Sequence, residues 1–282
     1  MNKVLVVGCG DLGASVANNL AQTGLEVIGL RRTATPIEGI HILQADVTQP
    51  ASLNGLASIQ PDILIYCVAA NGQSDEQYKA HYVDGLRNVL VTQAQNPHLK
   101  HVFFVSSTRV YGQVSDNLLD ESTVAMPADF GGQRLLEAEN LLKSLSCGST
   151  ALRLSGIYGP GRLRMIRLAQ SPENWPIENS WTNRIHRDDA AAFIAFLVQK
   201  VLAKKMVQPC YIVTDSKPAS QHEVLGWIAD RLEVEKPHEE KPVVGGKRLN
   251  NQAMLQTGFE LRYPDFKAGY QALLNELGVD IA

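Results

Sequence analysis

The chain has 282 residues, 45% of them hydrophobic and 20% charged, with a formal net charge of −3. That length and composition describe a globular protein with a substantial core, and the near-neutral charge excludes the basic field of a nucleic-acid or anionic-membrane binder. No apolar run reaches the ~20 residues that span a bilayer and no signal-peptide pattern precedes the first strand, so a cytoplasmic location without a membrane partner is expected.

Four cysteines, Cys9, Cys67, Cys147 and Cys210, are scattered without a CxxC pair or a histidine at ligand spacing. Neither a metal site nor a disulfide framework is indicated, and reduced thiols are expected.

The first informative stretch is Val4-Leu-Val-Val-Gly-Cys-Gly-Asp-Leu-Gly13. Leu5, Val6 and Val7 have no polar residue alternating with them, which predicts a parallel strand buried on both faces. Gly8 then suits a tight turn, Gly10 leaves room for a pyrophosphate against the backbone, and Gly13 lets the next helix pack on its strand. The backbone N–H groups of Asp11 and Leu12 open that helix and would face the phosphates. Leu12, Val16, Ala17, Leu20 and Ala21 fall on one helical face, Gly24 stops the helix, and Glu26–Leu30 supplies a second strand. This is a βαβ unit of about 30 residues.

At the end of that second strand stand Arg31 and Arg32, where an NAD-specific site would place an acid for the ribose hydroxyls. Two guanidiniums suit the 2′-phosphate of NADP, so NADP is the expected cofactor, with NAD the alternative; a solvated surface pair is the plainer reading of the two arginines. A third strand, Ile40–Gln44, delivers Asp46 and Val47. The Asp46 carboxylate either bonds an adenine amino group or caps the following turn. The fourth strand, Asp62–Val68, runs into Ala69-Ala70-Asn71-Gly72; the small residues after Val68 would let a cofactor lie close to the backbone.

A long helix is expected over 74–95, then a fifth strand, His101–Val105, emptying into Ser106-Ser-Thr-Arg-Val-Tyr-Gly112. Alternation of strand and helix through this half predicts an α/β, doubly wound parallel sheet. In such sheets ligands bind beyond the carboxyl ends of the strands, which makes the hydroxyls of Ser107, Thr108 and Tyr111 candidates for chemistry.

Together with Leu152-Arg-Leu-Ser-Gly-Ile-Tyr-Gly-Pro-Gly161 and Arg184-Ile-His-Arg-Asp-Asp189, these segments resemble the extended short-chain dehydrogenases/reductases of the NAD(P)-dependent epimerase/dehydratase type. The resemblance covers nearly the whole chain. It implies a Rossmann domain over 1–154 and a smaller C-terminal α/β substrate lobe over 155–282 with segments returning to the core. It also implies a homodimer and a small-molecule substrate, with Ser107 polarising a substrate carbonyl. The family's Tyr-x-x-x-Lys pair, in which the lysine's charge prepares the phenol for proton transfer, is replaced here by Phe130 and Arg134. The family's active-site asparagine is replaced by Tyr82.

Phenylalanine cannot carry a proton, so Tyr111 becomes the substitute phenol, with a packing aromatic as its plainer reading. Arg134 keeps a fixed charge and several donors for the nicotinamide ribose. Tyr263-Pro-Asp-Phe-Lys267 repeats the missing spacing, but its proline argues against one continuous helix.

Beyond the sixth strand, Thr150–Leu154, Arg162, Arg164 and Arg167 either grip an anionic substrate or form a solvated face. His186 precedes Asp188, Asp189 and an apolar helix expected over Ala190–Val201; it is a candidate substrate contact, with Asp188 or Asp189 as the helix N-cap the plainer reading of this segment. Later elements are a strand at Tyr211–Asp215, a helix near Val224–Leu232 and a last helix from about Phe266 to Leu277. Two functions stay open: an epimerase/dehydratase or reductase acting on a sugar or sugar nucleotide, and a catalytically inactive NADP-binding regulatory or scaffold protein.

Overall fold

The computed structural model describes residues 2–115, 117–237 and 241–278. β1 (Lys3–Val7), α1 (Asp11–Ala21), β2 (Glu26–Arg31), β3 (His41–Gln44) and β4 (Ile63–Tyr66) come first. α2 (Asp75–Tyr78), a π-helical turn (Lys79–Asp84) and α3 (Gly85–Thr92) lead to β5 (His101–Ser107), β6 (Leu118–Leu119), α4 (Phe130–Leu141) and β7 (Gly148–Leu154). Then come β8 (Gly156–Tyr158), α5 (Arg164–Ala169), β9 (Asn179–Thr182), β10 (Arg184–His186), α6 (Arg187–Leu202) and β11 (Cys210–Val213). The chain ends through β12 (Ala219–Ser220), α7 (Gln221–Arg231), β13 (Val243–Gly246), β14 (Arg248–Leu249), α8 (Gln252–Gln256) and α9 (Phe266–Glu276).

Seven strands form one doubly wound parallel sheet in the order β11-β7-β5-β4-β1-β2-β3. β1 is its pivot, pairing Leu5 with Ile28 of β2 on one side and with Leu64 of β4 on the other. Val4 to Val7 and Ile63 to Tyr66 have no exposed surface, as strands covered on both faces require. Strand order reverses between β1 and β4, so their carboxyl ends, at Gly8 and Cys67, mark the switch point where such sheets take ligands.

The chain divides into two compact units. The first comprises residues 1–112, 124–153 and 191–211, and the second 113–123, 154–190 and 212–282. Within the second unit, β12, β9 and β13 form a small sheet and β8 pairs with β10. Its core packs Tyr158, Ile166, Val224, Ile228, Phe266 and Tyr270 together, from β8, α5, α7 and α9.

The helix expected over 74–95 is interrupted. It forms α2, the π-helical turn and α3, and ends at Thr92. The buried Tyr66 hydroxyl donates to the His81 carbonyl, and such side-chain insertion into the helical ladder widens a turn. Gly85 keeps this stretch against the sheet, because a Cβ there would fall 2.5 Å from the Tyr66 hydroxyl. The helix after β10 starts at Arg187. Asp265 caps α9 by accepting from Ala268 N–H, which leaves Tyr263 outside the helix that holds Lys267.

Candidate active site

The glycine turn is held by β2. Gly8 and Cys9 both donate their N–H groups to the Leu30 carbonyl at 2.9 Å, with Gly8 in the left-handed region at φ +89°. A Cβ on Gly8 would lie 2.5 Å from the Cys67 carbonyl, so only glycine lets the ends of β1 and β4 meet. Gly13 packs against the Gly8 carbonyl, with no space for a side chain. Gly10 differs: among the described residues, no atom beyond its chain neighbours lies within 4 Å of where its Cβ would stand. It begins α1 without a side-chain cap, and the first helical bond is Ala14 N–H to the Gly10 carbonyl at 2.7 Å. The α1 start thus faces open space, and the first turn of a helix, with its N–H groups and positive dipole end, makes a cradle there that fits a dinucleotide pyrophosphate.

Around this cradle, Arg31 is half-buried and Arg32 exposed at the end of β2. Asp46 Oδ1 accepts from Thr48 N–H at 2.9 Å and from the Thr48 hydroxyl at 2.8 Å. Burial works against the Asp46 charge, but these bonds and the Arg32 charge hold its carboxyl below the usual range. Val47 is buried, while Val68 and Ala70 are half-buried and Ala69 is exposed. Ala70 N–H donates to the Tyr82 hydroxyl, and burial, the larger effect, raises that phenol's pKa.

At the end of β5, Ser107 is half-buried and its Oγ accepts from Arg109 N–H at 3.2 Å. Thr108 is buried. Tyr111 has no exposed surface, and its hydroxyl lies 2.5 Å from Nη1 of the buried Arg153. Tyr111 is therefore out of reach of a substrate in this conformation. Arg153 also holds Glu139, whose carboxylate accepts from the Ser106 hydroxyl at 2.6 Å.

Phe130 begins α4 behind the N-cap Asp129. Arg134, one turn later, grips Asp75 with Nε and Nη2, each at 2.7 Å, and Glu137 with Nη1 at 2.8 Å. The cation expected at the cofactor ribose is thus already engaged by two carboxylates.

Sequence reasoning missed what surrounds Phe130. The Tyr78 ring stands edge-on to Phe130, with centroids 5.5 Å apart, and packs against Tyr82 at 5.1 Å. The Arg109 guanidinium lies over the Tyr78 and Phe130 rings, at 5.0 and 5.3 Å. It rests on the bare backbone of Gly131. Asp129, directly before the helical pattern of α4, was readable as an N-cap; its bond to Arg109 was not.

In the second unit, Arg162 is exposed ahead of α5. His186 is 2% exposed, with the Tyr263 ring tilted against it at 4.0 Å and Tyr158 edge-on at 5.2 Å. Burial pushes its pKa down to about 4. Among the described residues no group of histidine, cysteine and carboxylate side chains could hold a metal ion. No helix among them is long and apolar enough to cross a membrane.

A doubly wound sheet with a glycine cradle at its switch point defines a nucleotide-binding protein of the Rossmann kind. More narrowly, residues 4–208 match the model of the NAD-dependent epimerase/dehydratase family, and the chain belongs to that family. It is 50% identical to a Methylobacillus flagellatus protein described as an NAD-dependent epimerase/dehydratase. The match covers 98% of this chain and 99% of the other, with a TM-score of 0.90. Protein YeeZ of Escherichia coli K12 is 26% identical over 94% of this chain and 97% of its own length. WbmG of Bordetella bronchiseptica, solved with NAD and UDP, shares the fold at 18% identity over 98% and 96% of the chains, with a TM-score of 0.80.

Proposed function

We propose that this protein is an NAD(P)-dependent epimerase/dehydratase or reductase that prefers NADP and acts on a carbonyl or hydroxyl carbon of a sugar or sugar nucleotide. The observation that carries the reading is the open space at Gly10, set among glycines that have no room for a side chain. Pyrophosphate is bound there by the N–H groups of Asp11, Leu12 and Gly13. Arg31 and Arg32 take the 2′-phosphate, and Asp46, Val47, Val68, Ala69 and Ala70 flank the nucleoside. Bound cofactor supplies or accepts hydride.

Ser107 is the substrate-facing hydroxyl. Its Oγ accepts from Arg109 N–H, which leaves its own proton for a substrate oxygen. Thr108, buried beside it, accepts from Tyr111 N–H through its carbonyl at 3.1 Å. A nucleoside diphosphate on the substrate is suggested by the UDP held by WbmG. The family resemblance also suggests a homodimer, which sedimentation velocity tests.

A second reading, an NADP-binding protein without turnover, draws support from Phe130 and from the engagement of Arg134 by Asp75. Calorimetry with NADP and NAD tests the shared premise: NADP binds more tightly, and equal affinities or no binding overturn it. NADPH absorbance in the presence of a panel of keto-sugars and aldehydes then separates the readings. Oxidation supports the enzyme. Activity that appears only in Phe130→Tyr/Arg134→Lys supports the binding protein.

A further inference from the structure

Arg109 is anchored far more firmly than a loop arginine needs to be. Its Nε donates to both Asp129 oxygens at 3.0 Å, and its Nη1 donates to the Tyr78 hydroxyl at 2.7 Å and to Gln73 Oε1 at 3.1 Å. Two aromatic rings flank the guanidinium, and Gly131 and Gly132 admit it and its backbone to the first turn of α4. Of the five N–H donors in a guanidinium, three are committed, and Nη2 keeps two with no partner among the described residues. The side chain is 31% exposed, and Nη2 is not among the fully buried side-chain atoms that lack a partner.

We propose that Arg109 Nη2 is an oxyanion-binding site, and that the substrate of the reaction proposed above carries a carboxylate or phosphate group seated on it. This inference rests on that reading for the word substrate; the anion site itself does not depend on it. A pinned guanidinium loses little freedom when it binds, and its charge-assisted bonds to an oxyanion are stronger than neutral ones. Ser107, whose Oγ is bonded to the same residue's backbone N–H, stands next to this site along the chain. Phe130 adds a flat apolar face where a hydroxyl would otherwise compete for the guanidinium. Asp129 moderates the charge without occupying Nη2.

The test is calorimetric binding of inorganic phosphate and, separately, of acetate to the full chain. Each is measured in an Arg31→Gln/Arg32→Gln background, so that the proposed 2′-phosphate site contributes nothing. Arg109→Gln should weaken the preferred anion by ~10-fold or more, the worth of a charge-assisted bond, and Arg109→Lys should restore part of it. Asp129→Asn keeps the helix cap but removes the opposing charge, and should tighten binding several-fold. This variant serves even if Arg109→Gln fails to fold.

Phosphate preferred over acetate assigns a phosphorylated substrate, and the reverse assigns a carboxylate. Binding that is unchanged in both Arg109→Gln and Asp129→Asn, or absent from the background protein, overturns the proposal. NADP binding is measured in parallel on the unmutated chain. Its loss would sink the functional reading and leave the anion site standing, whereas loss of the Arg109 effect alone would sink only this inference.

Discussion

Glu139 and Arg153 form a buried ion pair between α4 and β7, with Nη2 2.6 Å from Oε2 and Nε within 3.2 Å of both carboxylate oxygens. Side-chain exposures are 8% and 10%. The pair ties Ser106 on β5 and the Tyr111 hydroxyl into one network directly behind the candidate hydroxyls. Breaking one partner strands a buried charge, which costs about 3–5 kcal/mol. Glu139→Gln should lose about that much in urea unfolding. Glu139→Leu/Arg153→Met, which removes both charges, should lie closer to the parent chain. A double variant as unstable as the single one would show that packing, and not charge, holds this layer.

The glycines divide by the space around them. Gly10→Val puts its Cβ in open space, with no described atom beyond the chain neighbours within 4 Å, and it should leave the melting temperature within a few degrees of the parent while abolishing dinucleotide binding. Gly13→Ala collides with the Gly8 carbonyl and should destabilise the chain by about 1–3 kcal/mol. Thermal melts with and without NADP distinguish the two. Gly10→Val binding NADP as tightly as the parent would remove the pyrophosphate from this turn.

Arg31→Gln/Arg32→Gln should weaken NADP by at least roughly 10- to 100-fold, since even one lost charge-assisted bond to phosphate is worth about 1.5–3 kcal/mol. NAD, which lacks the 2′-phosphate, should change little. Fluorescence titration of both cofactors gives the ratio. An equal loss for both would mean that the arginines act on the cofactor generally.

What the sequence made legible was whatever a residue imposes on its own neighbourhood. The three glycines, the unbroken Val4–Val7 strand and the Asp46 turn closed by Thr48 two residues later all follow from local backbone demands. The contacts around Phe130 do not. Gln73, Tyr78, Arg109 and Asp129 are brought together by three separate elements, and nothing in their spacing announces it. Arg134 illustrates the same gap, because its carboxylate partner Asp75 lies 59 residues away. Tyr111, in the segment leaving β5, read as a substitute phenol or, more plainly, as a packing aromatic, and the sequence does not separate the two. Its hydroxyl is instead held by Arg153, on another strand. The widened turn at 79–84 depends on a hydroxyl from β4 and has no local signature.

Asp215 gives the protein a pH dependence of unusual sign. It is 1% exposed, its Oδ2 has no hydrogen-bond partner among the described residues, and burial pushes its pKa up to about 7, against the opposing charge of Arg184 and with help from Asp265 and Asp189. An unfolded aspartate titrates near ~3.9, so between about pH 4 and 7 the folded chain holds a proton that the unfolded chain has released. Its contribution is fully present below pH ~4 and is lost as pH rises through about 7. At ~1.4 kcal/mol per unit, that amounts to no more than about 4 kcal/mol.

His101 and His186 act in the opposite direction. Burial pushes both down to about 4, so their contributions are present above an unfolded value near ~6.5 and are lost as pH falls through that window. The parent's own profile therefore mixes the two signs, and the informative quantity is the difference between parent and Asp215→Asn. In guanidinium unfolding from pH 4.5 to 8, the parent's advantage should shrink by a few kcal/mol and then level off above pH 7. A difference that stays constant with pH would mean that Asp215 is ionised throughout, with Arg184 outweighing its burial.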